Sequence, residues 1–595
     1  MSHGTTLFTG TFGRQLGALA TGLALLAGPR AQAQAPAWQW GLQTTNPTPA
    51  DATGARGQAI ATDAGGNAYV AGGLGTFDGS TALATRAFGS TSLSATQASS
   101  GFVAKASAAG QWLWAVRVSN DYETIVDQVI TSPAGDVYVS GAVAGTTLAL
   151  GTFTHTRAVA TPGQFVARLD GNGHVQWVVS VANPYLARLA YDPSTGGVAV
   201  AGIYGTAATT FGTTTLAAAH GNGVALYVAR LSAAGQWLSA TGVFFDDGNL
   251  DVGAHLTVGP QGHVLVGGRG HSRAVVFGPT TLAGLNGSYL AQLSPAGQWQ
   301  WAVATADNIY LRGLGYGPVG GVWACGYGRP GARLGNTTLA GNGGDVGFVA
   351  KVGSTGQWGA VATVGASAGT RRAGSALIDH VMVDGAGNAL ALCHLSVDYS
   401  GGNTAADFAI GGQTISLANE RETRDVAVRL SPAGAWQYAV PTPAGSIANG
   451  TYLFAAALDA TGAVVATGGL LGTLTLDTTA LSGSYWRAGS SVYGGDALVA
   501  RLVGAAVPLA VRPAAGFVPL AVWPNPAPAG APATLRLPAP AATATPLTLH
   551  DARGRAVRTA TVAAGQREAA LPTAGLAPGL YLVRAGAARG QLVVE

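Results

Sequence analysis

FVAKASAAGQWLWAV, residues 102–116, is the stretch of sequence that recurs along this chain. Its two apolar runs flank the turn Ser-Ala-Ala-Gly, a pattern typical of two strands joined by a tight turn. Variants such as FVARLDGNGHVQWVV and YLAQLSPAGQWQWAV begin at Phe165, Tyr227, Tyr289, Phe348 and Val426. Recurrence of this kind predicts an array of similar β-units.

A second phrase precedes each copy of the first. It is DAGGNAYVAGG at Asp63, and six variants begin at Ser132, Asp192, Gly259, Gly317, Asp384 and Asp459. The copies are spaced by about 58 to 75 residues, a period that indicates a propeller, a solenoid or a similar array. An apolar run before each phrase completes a four-stranded unit. A third phrase, FGSTSL at Phe88 and FGTTTL at Phe211, predicts a hairpin inserted between the second and third strands.

A strand that is missing at the C-terminal end of the array is present at its N-terminal end. The seventh repeat has a strand at Leu498 but no Gly-Gln-Trp strand after it, whereas AWQWGL, residues 37–42, has that pattern and no partner. Pairing the two would leave no exposed edge. We therefore predict an all-β fold, a seven-bladed β-propeller closed by an N-terminal strand. Because Trp38 and Trp40 are two residues apart, we expect both on one face of that strand, filling the gap to a neighbouring blade.

Composition agrees with a turn-rich β-protein and excludes other classes. Gly accounts for 90 of 595 residues, and hydrophobic residues make up 48%, which excludes a disordered chain. The net charge is +4. Residues 519–595 carry seven Arg and three acidic residues, so the whole excess lies in the tail and the propeller is nearly neutral. Without a basic stripe, nucleic acid is excluded as a partner.

The first residues read as an export signal. Residues 1–33 combine Arg14, an apolar run over 16–28 and the small-x-small site Ala31-Gln32-Ala33, which predicts a cleaved signal peptide. The alternative is a short N-terminal helix that stays uncleaved as an anchor. No later run approaches the ~20 apolar residues that cross a bilayer, so we expect no transmembrane segment.

The two cysteines, Cys325 in VWACG and Cys393 in LALCH, stand at matching places in successive repeats. Stacked sheets lie about 10 Å apart, whereas a disulfide needs Cα atoms within roughly 7 Å. We therefore favour two buried free thiols over a bridge.

These phrases closely resemble the SBBP beta-propeller repeat family of bacterial exported proteins. The resemblance covers residues from about Trp38 to Ala505 and rests on D-x-x-G-N-x-Y-V-x-G, F-G-x-T-T-L and F-V-A-K-L-x-x-x-G-x-W recurring together. It implies a propeller over 34–505 and an extracellular setting, and it implies no single activity. The D-x-x-G-N phrase has lost its Asp in three repeats, at Ser132, Gly259 and Gly317. This loss argues against a ring of metal ligands at the Asp positions.

The tail is predicted to be a second domain. A Pro- and Ala-rich linker, residues 506–518, precedes short alternating strands over 519–595 that indicate a small β-sandwich. This segment resembles the C-terminal sorting domain (type A) of the type IX secretion system. The resemblance implies delivery by that machinery, usually with removal of the domain. It rests on residues of three short motifs: Pro524, Asn525, Pro526, Gly554, Gly579 and Tyr581.

Candidate ligand-binding residues fall into two groups. One is a polar collar on the innermost strands, facing a central channel: Gln128, Arg188, His255 and His380. The other lies in variable loops on the face that carries the connections between blades, where carboxylates and aromatics mix as in sugar or peptide sites: Asp121, Tyr122, Tyr185, Asp246, Asp247, Asp251, Asp307, Asn308 and Tyr310. Solvated loop residues would show the same mixture.

No catalytic motif, metal-ligand spacing or cofactor loop occurs in the sequence. We therefore predict a monomeric, non-catalytic exported propeller that binds a glycan, a peptide or a surface partner through its variable loop face. Its expected location is outside the cell or on the outer-membrane surface, reached through the periplasm. Two alternatives stay open, because propellers host many functions. One is a secreted hydrolase or lyase with carboxylates at the channel mouth; the other is a structural spacer of the cell surface.

Overall fold

The computed structural model of the chain describes most of its residues in two compact units, Met1–Ala506 and Val507–Glu595. The predicted signal peptide and nearly all of the predicted linker lie outside the described residues. Those residues are 36–47, 53–76, 83–221, 223–246, 255–317, 321–367, 374–397, 405–418, 422–443, 451–483, 485–488, 491–503, 518–528, 530–537, 539–551, 556–577, 579–585 and 588–594.

Every named element in these ranges is a β-strand. Nothing helical in them has the length and apolar character that crossing a bilayer requires. The fold is therefore all-β, as the strand phrases predicted, and the first unit consists of many small antiparallel sheets.

Four classes of strand make up the main sheets of the first unit. The first strands are Thr53–Thr62, Val126–Thr131, Pro184–Asp192, His255–Val258, Ile309–Tyr316, Gly374–Val383 and Thr451–Leu458. The second strands are Ala68–Thr76, Val137–Val143, Gly197–Tyr204, Val264–Phe277, Val322–Gly328, Ala389–Val397 and Val464–Leu470. The third strands are Ser99–Ala106, Gly163–Leu169, Val224–Leu231, Thr280–Leu293, Val346–Val352, Thr423–Leu430 and Asp496–Val503. The fourth strands are Trp112–Asn120, Val175–Ala182, Trp237–Phe245, Trp299–Ala304, Trp358–Val364, Trp436–Pro441 and, from the N-terminus, Ala37–Gln43.

Each sheet takes one strand from each class, so that the strands named first in the four lists form sheet 1 and those named last form sheet 7. Within a sheet the strands are hydrogen-bonded in the order first, second, third, fourth. The second strands are mostly apolar because both of their faces are covered; Ala68–Thr76 is buried at eight of its nine residues. A separate cluster of buried apolar side chains joins each sheet to the next in the chain. A further cluster joins sheet 7 to sheet 1.

Short hairpins follow most of the second strands. They are Thr85–Phe88 with Thr91–Ser94, Thr147–Leu150 with Phe153–Thr156, Thr209–Phe211 with Thr214–Leu216, Arg333–Leu334 with Thr337–Thr338, Ala406–Ile410 with Gln413–Leu417, Gly472–Leu476 with Thr479–Gly483, and Tyr485–Ala488 with Ser491–Gly494. In sheet 4 the second and third strands themselves extend into the hairpin.

The F-G phrase has a packing role in these hairpins. The Phe88 ring meets the Trp112 indole edge-on at 5.1 Å, and Phe211 meets Trp237 in the same way at 5.0 Å. The glycine after Phe88 adopts φ 60 against the same indole. The phrase therefore fixes the hairpins of sheets 1 and 3 on the first Trp of their fourth strands.

The Asp of the D-x-x-G-N phrase organises a turn. The Asp63 carboxylate accepts hydrogen bonds from the backbone N–H of Gly65 at 2.9 Å and of Asn67 at 3.0 Å. It also lies 3.5 Å from the Lys105 ammonium of the third strand. Equivalent ion pairs join Asp384 to Arg429 and Asp459 to Arg501, each at 2.6 Å. These carboxylates are thus used in turns and ion pairs, and no cluster of potential metal ligands occurs among the described residues.

The Trp-x-Trp pattern of the fourth strands differs from our expectation. Trp112 lies opposite Ala106 and Trp114 opposite Lys105, so a register shift leaves Leu113 between them without a partner. This bulge turns the two indoles toward different neighbours. Trp112 donates to the Gln43 carbonyl of sheet 7 at 3.0 Å, and Trp114 donates to the Gly171 carbonyl of sheet 2 at 3.2 Å. The prediction that both indoles share one face was wrong.

The N-terminal strand repeats this pattern. Trp38 lies opposite Leu502 and Trp40 opposite Arg501, with the same register shift between them. Trp38 donates to the Pro441 carbonyl of sheet 6 at 3.1 Å, whereas Trp40 donates toward sheet 1. Ala37–Gln43 is therefore the fourth strand of sheet 7, hydrogen-bonded to Asp496–Val503 and packed against the sheets on either side.

A buried ion pair also joins sheet 7 to the first repeat. The Arg86 Nε lies 3.1 Å from an Asp496 carboxylate oxygen, with the two side chains 0% and 2% exposed. The same guanidinium donates to the Thr53 hydroxyl at 3.0 Å. Arg86 belongs to the hairpin of the first repeat and Asp496 to the third strand of sheet 7, so the pair connects residues 410 apart in sequence.

The two cysteines are buried free thiols. We expected them at matching places in their repeats, and this expectation was wrong. Cys325 lies opposite Gly313, which follows the register shift in the first strand of sheet 5. Cys393 lies opposite Ile378, which precedes the register shift in the first strand of sheet 6. Because successive residues of a strand point to opposite faces, this offset turns the two thiols toward the same cluster, between sheets 5 and 6.

The second unit contains two sheets with a common apolar core. Its strands are Val518–Pro519, Ala521–Trp523, Ala533–Arg536, Thr545–His550, Ala556–Val562, Glu568–Leu571, Gly579–Ala585 and Ala588–Val594. One sheet has five strands and the other three.

Candidate functional site

The first strands of the seven sheets adjoin one another in chain order, and the first strand of sheet 7 adjoins those of both sheet 6 and sheet 1. They enclose a cavity of about 650 Å³ that is lined by residues from every one of them. We call this the channel cavity. Its size suits a small ligand, since ligand sites commonly measure ~300 to 1,000 Å³.

A bulge recurs at the same region of these first strands. Register shifts skip one residue in sheets 1, 2, 3, 5, 6 and 7. Bulges re-aim side chains and are common beside active sites. The skipped residues whose side chains are described all line the channel cavity: Gln58, Asp127, Arg312, Asp379 and Phe454. We call these five the bulge residues.

The predicted collar residues lie at or next to the bulge positions: Gln128 and His380 directly follow a bulge residue, Arg188 lies two residues after the skipped position of its strand, and His255 occupies the equivalent position in sheet 4, where the pairing shows no shift. Gln128, Arg188, His255 and His380 are opposite Ser140, Ala201, Gly267 and Leu392, which are equivalent positions of the second strands. All four line the channel cavity. The structure therefore brings the whole collar to one place.

Both collar histidines are neutral at pH 7. Burial lowers the pKa of His255 to about 3, and the positive charges of Arg188 and Arg312 lower it further. Burial likewise lowers the pKa of His380. Each ring hydrogen-bonds to backbone of the next first strand, His255 to Leu311 and His380 to Phe454. The histidines therefore link neighbouring strands and present neutral polar edges to the cavity.

Three of the bulge residues, Asp127, Arg312 and Asp379, place charged side chains in the channel cavity. Arg312 Nε donates to an Asp379 carboxylate oxygen at 2.7 Å, which forms an ion pair across sheets 5 and 6. Among the described residues, no side chain forms a comparable bond with the Asp127 carboxyl group. Burial raises the pKa of Asp127 to about 6, although Arg188 attracts the ionised form. Burial also lowers the pKa of Arg188. The cavity thus contains one ion pair, Arg312 with Asp379, and three further charged side chains, Asp127, Arg188 and Arg269.

Aromatic residues lie at the end of the cavity where the hairpins emerge. Tyr310 and Tyr327 face each other across the first two strands of sheet 5, with ring centres 4.9 Å apart and planes inclined by 19°. The Arg269 guanidinium lies 4.7 Å from the Tyr310 ring centre. Phe454 remains 36% exposed there. This end therefore combines a flat apolar surface with cationic and phenolic groups, and Tyr310 is the loop candidate that belongs to it.

Asp121 and Tyr122 line a separate cavity of about 710 Å³ among the loops, which we call the loop pocket. Asp121 accepts hydrogen bonds from the backbone N–H of Thr146 at 2.6 Å and of Thr147 at 3.1 Å, and these bonds hold the pKa of its carboxyl below the ordinary value. Asp121 therefore fixes the neighbouring hairpin, while the 62% exposed Tyr122 stays accessible.

Asp246 has the same structural role between sheets 3 and 4. It accepts hydrogen bonds from the Ser272 hydroxyl and, at 3.0 Å, from the Arg273 N–H; the Ser272 bond is the chief cause that lowers the pKa of its carboxyl. A catalytic acid requires the opposite direction. Asp307 accepts a 3.3 Å bond from the Asn286 amide, and Asn308 adopts φ 63 in the adjoining turn.

The remaining loop candidates are less informative. Tyr185 lies opposite Ile203 at the start of its strand. Asp247 and Asp251 lie outside the described residues.

The candidate sorting residues contribute to the second unit. The Asn525 side chain donates to the Gln591 carbonyl at 2.9 Å and accepts from the Val593 N–H at 2.8 Å. Pro524 and Pro526 flank it in the same turn. The Tyr581 hydroxyl donates to the Ala577 carbonyl at 2.7 Å, and Gly579 begins the same strand at φ 154. Gly554 is outside the described residues.

Comparisons with known proteins assign neither a family nor an activity. No family model and no curated protein matches the chain. Among solved structures, a protein of unknown function from Dyadobacter fermentans is 11% identical with a TM-score of 0.32, over 77% of this chain and 97% of that one. A protein of unknown function from Bacteroides caccae is 10% identical with a TM-score of 0.28, over 57% and 89%. A puromycin hydrolase mutant is 11% identical with a TM-score of 0.29, over 73% and 61%.

Proposed function

We propose that the first unit is a closed seven-bladed β-propeller of SBBP-like repeats. Three observations support closure: Ala37–Gln43 pairs with Asp496–Val503, an apolar cluster joins sheet 7 to sheet 1, and the first strands adjoin one another all the way round. In such a ring each sheet is a blade, and the channel cavity lies on the axis.

We propose further that this propeller is a non-catalytic module that binds a saccharide in the channel cavity, reached from the variable loop face. The observation that carries this proposal is the lining. Amides, carboxylates, guanidinium groups and neutral imidazoles from separate strands converge on one space, next to the exposed Phe454 ring. A hydroxyl-rich ligand needs many such partners, and a sugar ring packs well against an aromatic face. The loops would then control access to the site.

The test is a glycan and peptide array on the purified chain, followed by calorimetry with the best hits. Phe454→Ala should weaken saccharide binding roughly three- to tenfold, the value of one aromatic contact. Tyr122→Ala is the matched control, because it removes an exposed aromatic ring from the loop pocket and should leave affinity unchanged. The reverse result would move the site to the loop pocket. Binding of peptides alone would overturn the saccharide proposal, and binding of nothing would favour the surface spacer.

We propose that residues 1–33 direct export and that residues 519–595 are a type IX sorting domain, which places the mature protein outside the cell. The order of the sorting motifs and their position in a separate compact unit support this. A chain that ends at Ala515 should fold and accumulate in the periplasm of its native host. Normal delivery of the shortened chain to the surface would contradict the assignment.

A hydrolase is the second candidate, favoured by one observation. Asp127 combines a pKa near 6 with a position in the channel cavity, as a general acid requires, while the Asp379 carboxylate is held by Arg312. Incubation of array hits with the chain and chromatography of the products tests it. Turnover that disappears in Asp127→Asn would establish the enzyme; intact ligand after prolonged incubation would support the binding module.

A further inference from the structure

The channel cavity has an excess of positive charge. Three guanidinium groups line it, those of Arg188, Arg269 and Arg312, against the carboxyl groups of Asp127 and Asp379. The two histidines add no charge at pH 7, because burial depresses their pKa values. A low-dielectric cavity strengthens the field of such charges.

The three guanidinium groups are engaged to different degrees. Arg312 forms an ion pair with Asp379, and Arg269 lies over the Tyr310 ring. Within the described ranges, no hydrogen bond or ion pair is formed by Arg188, although it faces the cavity from the middle of the ring of first strands. Asp127 attracts it without contact close enough to form an ion pair. A partly buried guanidinium of this kind gains from an anionic or polar partner that offsets its desolvation.

We propose that Arg188 binds a carboxylate of the ligand, so that the saccharide taken by the channel cavity is acidic, a uronic acid-terminated glycan. This inference rests on the proposed saccharide site. Arginine is suited to the task because its planar fork donates two parallel hydrogen bonds to a carboxylate. The sugar ring then extends toward Tyr327 and Phe454, and its hydroxyl groups meet Gln58 and Gln128.

Asp127 couples this binding to pH. An ionised Asp127 beside the ligand carboxylate repels it, whereas a protonated Asp127 donates a hydrogen bond instead. The other charged groups around the cavity are the guanidinium groups of Arg188, Arg269 and Arg312 and the carboxylate of Asp379, which pairs with Arg312, while His255 and His380 stay neutral. Affinity for the acidic sugar therefore rises as the pH falls through about 6, the pKa of Asp127.

The experiment compares two forms of one disaccharide by calorimetry with the full chain: one ending in glucuronate, and its carboxyl-reduced counterpart ending in glucose. The glucuronate form should bind at least about tenfold more tightly, the value of one charge-assisted pair. Arg188→Gln should abolish this difference, because it weakens binding of the glucuronate form far more than binding of the reduced form. Arg188→Lys should restore part of it, and Arg333→Gln, on a distant exposed hairpin, should have no effect.

Two pH arms complete the test. Between pH 7.5 and 5 the glucuronate form should gain affinity in the wild type and not in Asp127→Asn, while the reduced form changes in neither. Equal binding of the two forms, or a difference that survives Arg188→Gln in a chain that melts normally, overturns the inference alone. Failure of both forms to bind overturns the saccharide site itself, and with it this inference.

Discussion

The indole nitrogen of Trp40 donates a hydrogen bond to the backbone carbonyl of Ala108 at 3.2 Å, across the boundary between sheet 7 and sheet 1. The same indole covers Gly110, where a Cβ atom would lie 2.9 Å from the ring. Trp177 repeats both contacts at the boundary between sheet 2 and sheet 3, with the Ala233 carbonyl at 2.9 Å and with Gly235. The turn glycine of the Gly-Gln-Trp phrase in one sheet and an indole from the fourth strand of the preceding sheet thus form one recurring joint between sheets.

Two turn glycines isolate the strength of this joint. Gly235 and Gly297 occupy the same turn with φ 79 and φ 78, but a Cβ at Gly235 would lie 2.9 Å from the Trp177 indole, whereas no described atom lies within 4 Å at Gly297. Both changes to Ala incur the backbone strain of a left-handed residue, about 1 to 2 kcal/mol. Gly235→Ala should destabilise by a further ~1 to 3 kcal/mol through overpacking. Chemical denaturation of both variants measures the difference, and equal losses would contradict the joint.

The N-terminal indoles should be essential for stability. Trp38 is 6% exposed and belongs to the cluster between sheets 6 and 7, while Trp40 packs into the cluster between sheets 7 and 1. Truncation of a buried Trp to Ala typically costs ~3 to 5 kcal/mol. The double variant Trp38→Ala/Trp40→Ala should therefore melt well below the wild type. Leu113→Ala, at the 52% exposed centre of an equivalent phrase, is the control and should melt normally.

Deletion of residues 37–42 should have a second effect besides lower stability. It removes the partner of Asp496–Val503 and leaves that strand as an open edge. Open edges pair between molecules, so the shortened chain should form dimers or larger species in light scattering. A monomer with an unchanged melting temperature would require withdrawal of the closed ring.

The Arg86–Asp496 pair should behave as a buried ion pair. Removal of one partner leaves an uncompensated buried charge, which typically costs ~3 to 5 kcal/mol. Arg86→Met should lower the free energy of unfolding by about that amount, and Arg86→Met/Asp496→Asn should recover part of the loss. Denaturant titration of the two singles and the double measures this coupling. Additive losses would mean that the two side chains act independently.

Asp127 should make stability depend on pH in a defined window. Its pKa is raised from 3.8 to about 6 in the folded chain, so the folded state holds the proton more tightly than the unfolded state. The resulting stabilisation is complete below about pH 4 and is lost as the pH rises through 6; the pKa difference corresponds to about 3 kcal/mol. The depressed histidine pKa values act in the opposite sense in this range. The difference in the free energy of unfolding between the wild type and Asp127→Asn isolates the contribution of Asp127. As the pH rises from 4 to 6.5, the variant should become more stable relative to the wild type.

The sequence was sufficient for the fold class because its signal is repeated. Alternating apolar phrases and turn glycines predicted the all-β fold and its small sheets. It was misleading where a bulge interrupts the two-residue period. Trp38 and Trp40 face different sheets because Gln39 lies in a bulge, and alignment of the phrases by their cysteines displaced Cys393 by one residue. Neither the bulge at Gln39 nor the one-residue offset of Cys393 is accompanied by a distinctive residue type. The two-residue alternation of the strands therefore could not reveal them.

The candidate site was predictable in part for the same reason. Gln128, Arg188, His255 and His380 could be found because equivalent strands place equivalent residues on the channel. Asp127, Arg312 and Asp379 were missed, although they stand one residue before the collar position or its equivalent, since a regular strand would have turned them away from the channel. Asp121 and Asp246 were predicted as ligand-binding residues because they are carboxylates in variable loops. In the structure these carboxylates accept backbone hydrogen bonds and so hold the neighbouring hairpins in place.

The recurring bulge also bears on how this molecule can change. Each bulge residue lacks a partner on the adjoining strand, so its side chain contributes little to the register or packing of its own sheet. The positions accordingly hold an amide, two carboxylates, a guanidinium and a phenyl ring in otherwise similar repeats. Substitutions there alter the chemistry of the channel at small cost to folding. Duplicated repeats could therefore diverge in ligand preference one residue at a time, while the joints between sheets stayed the same.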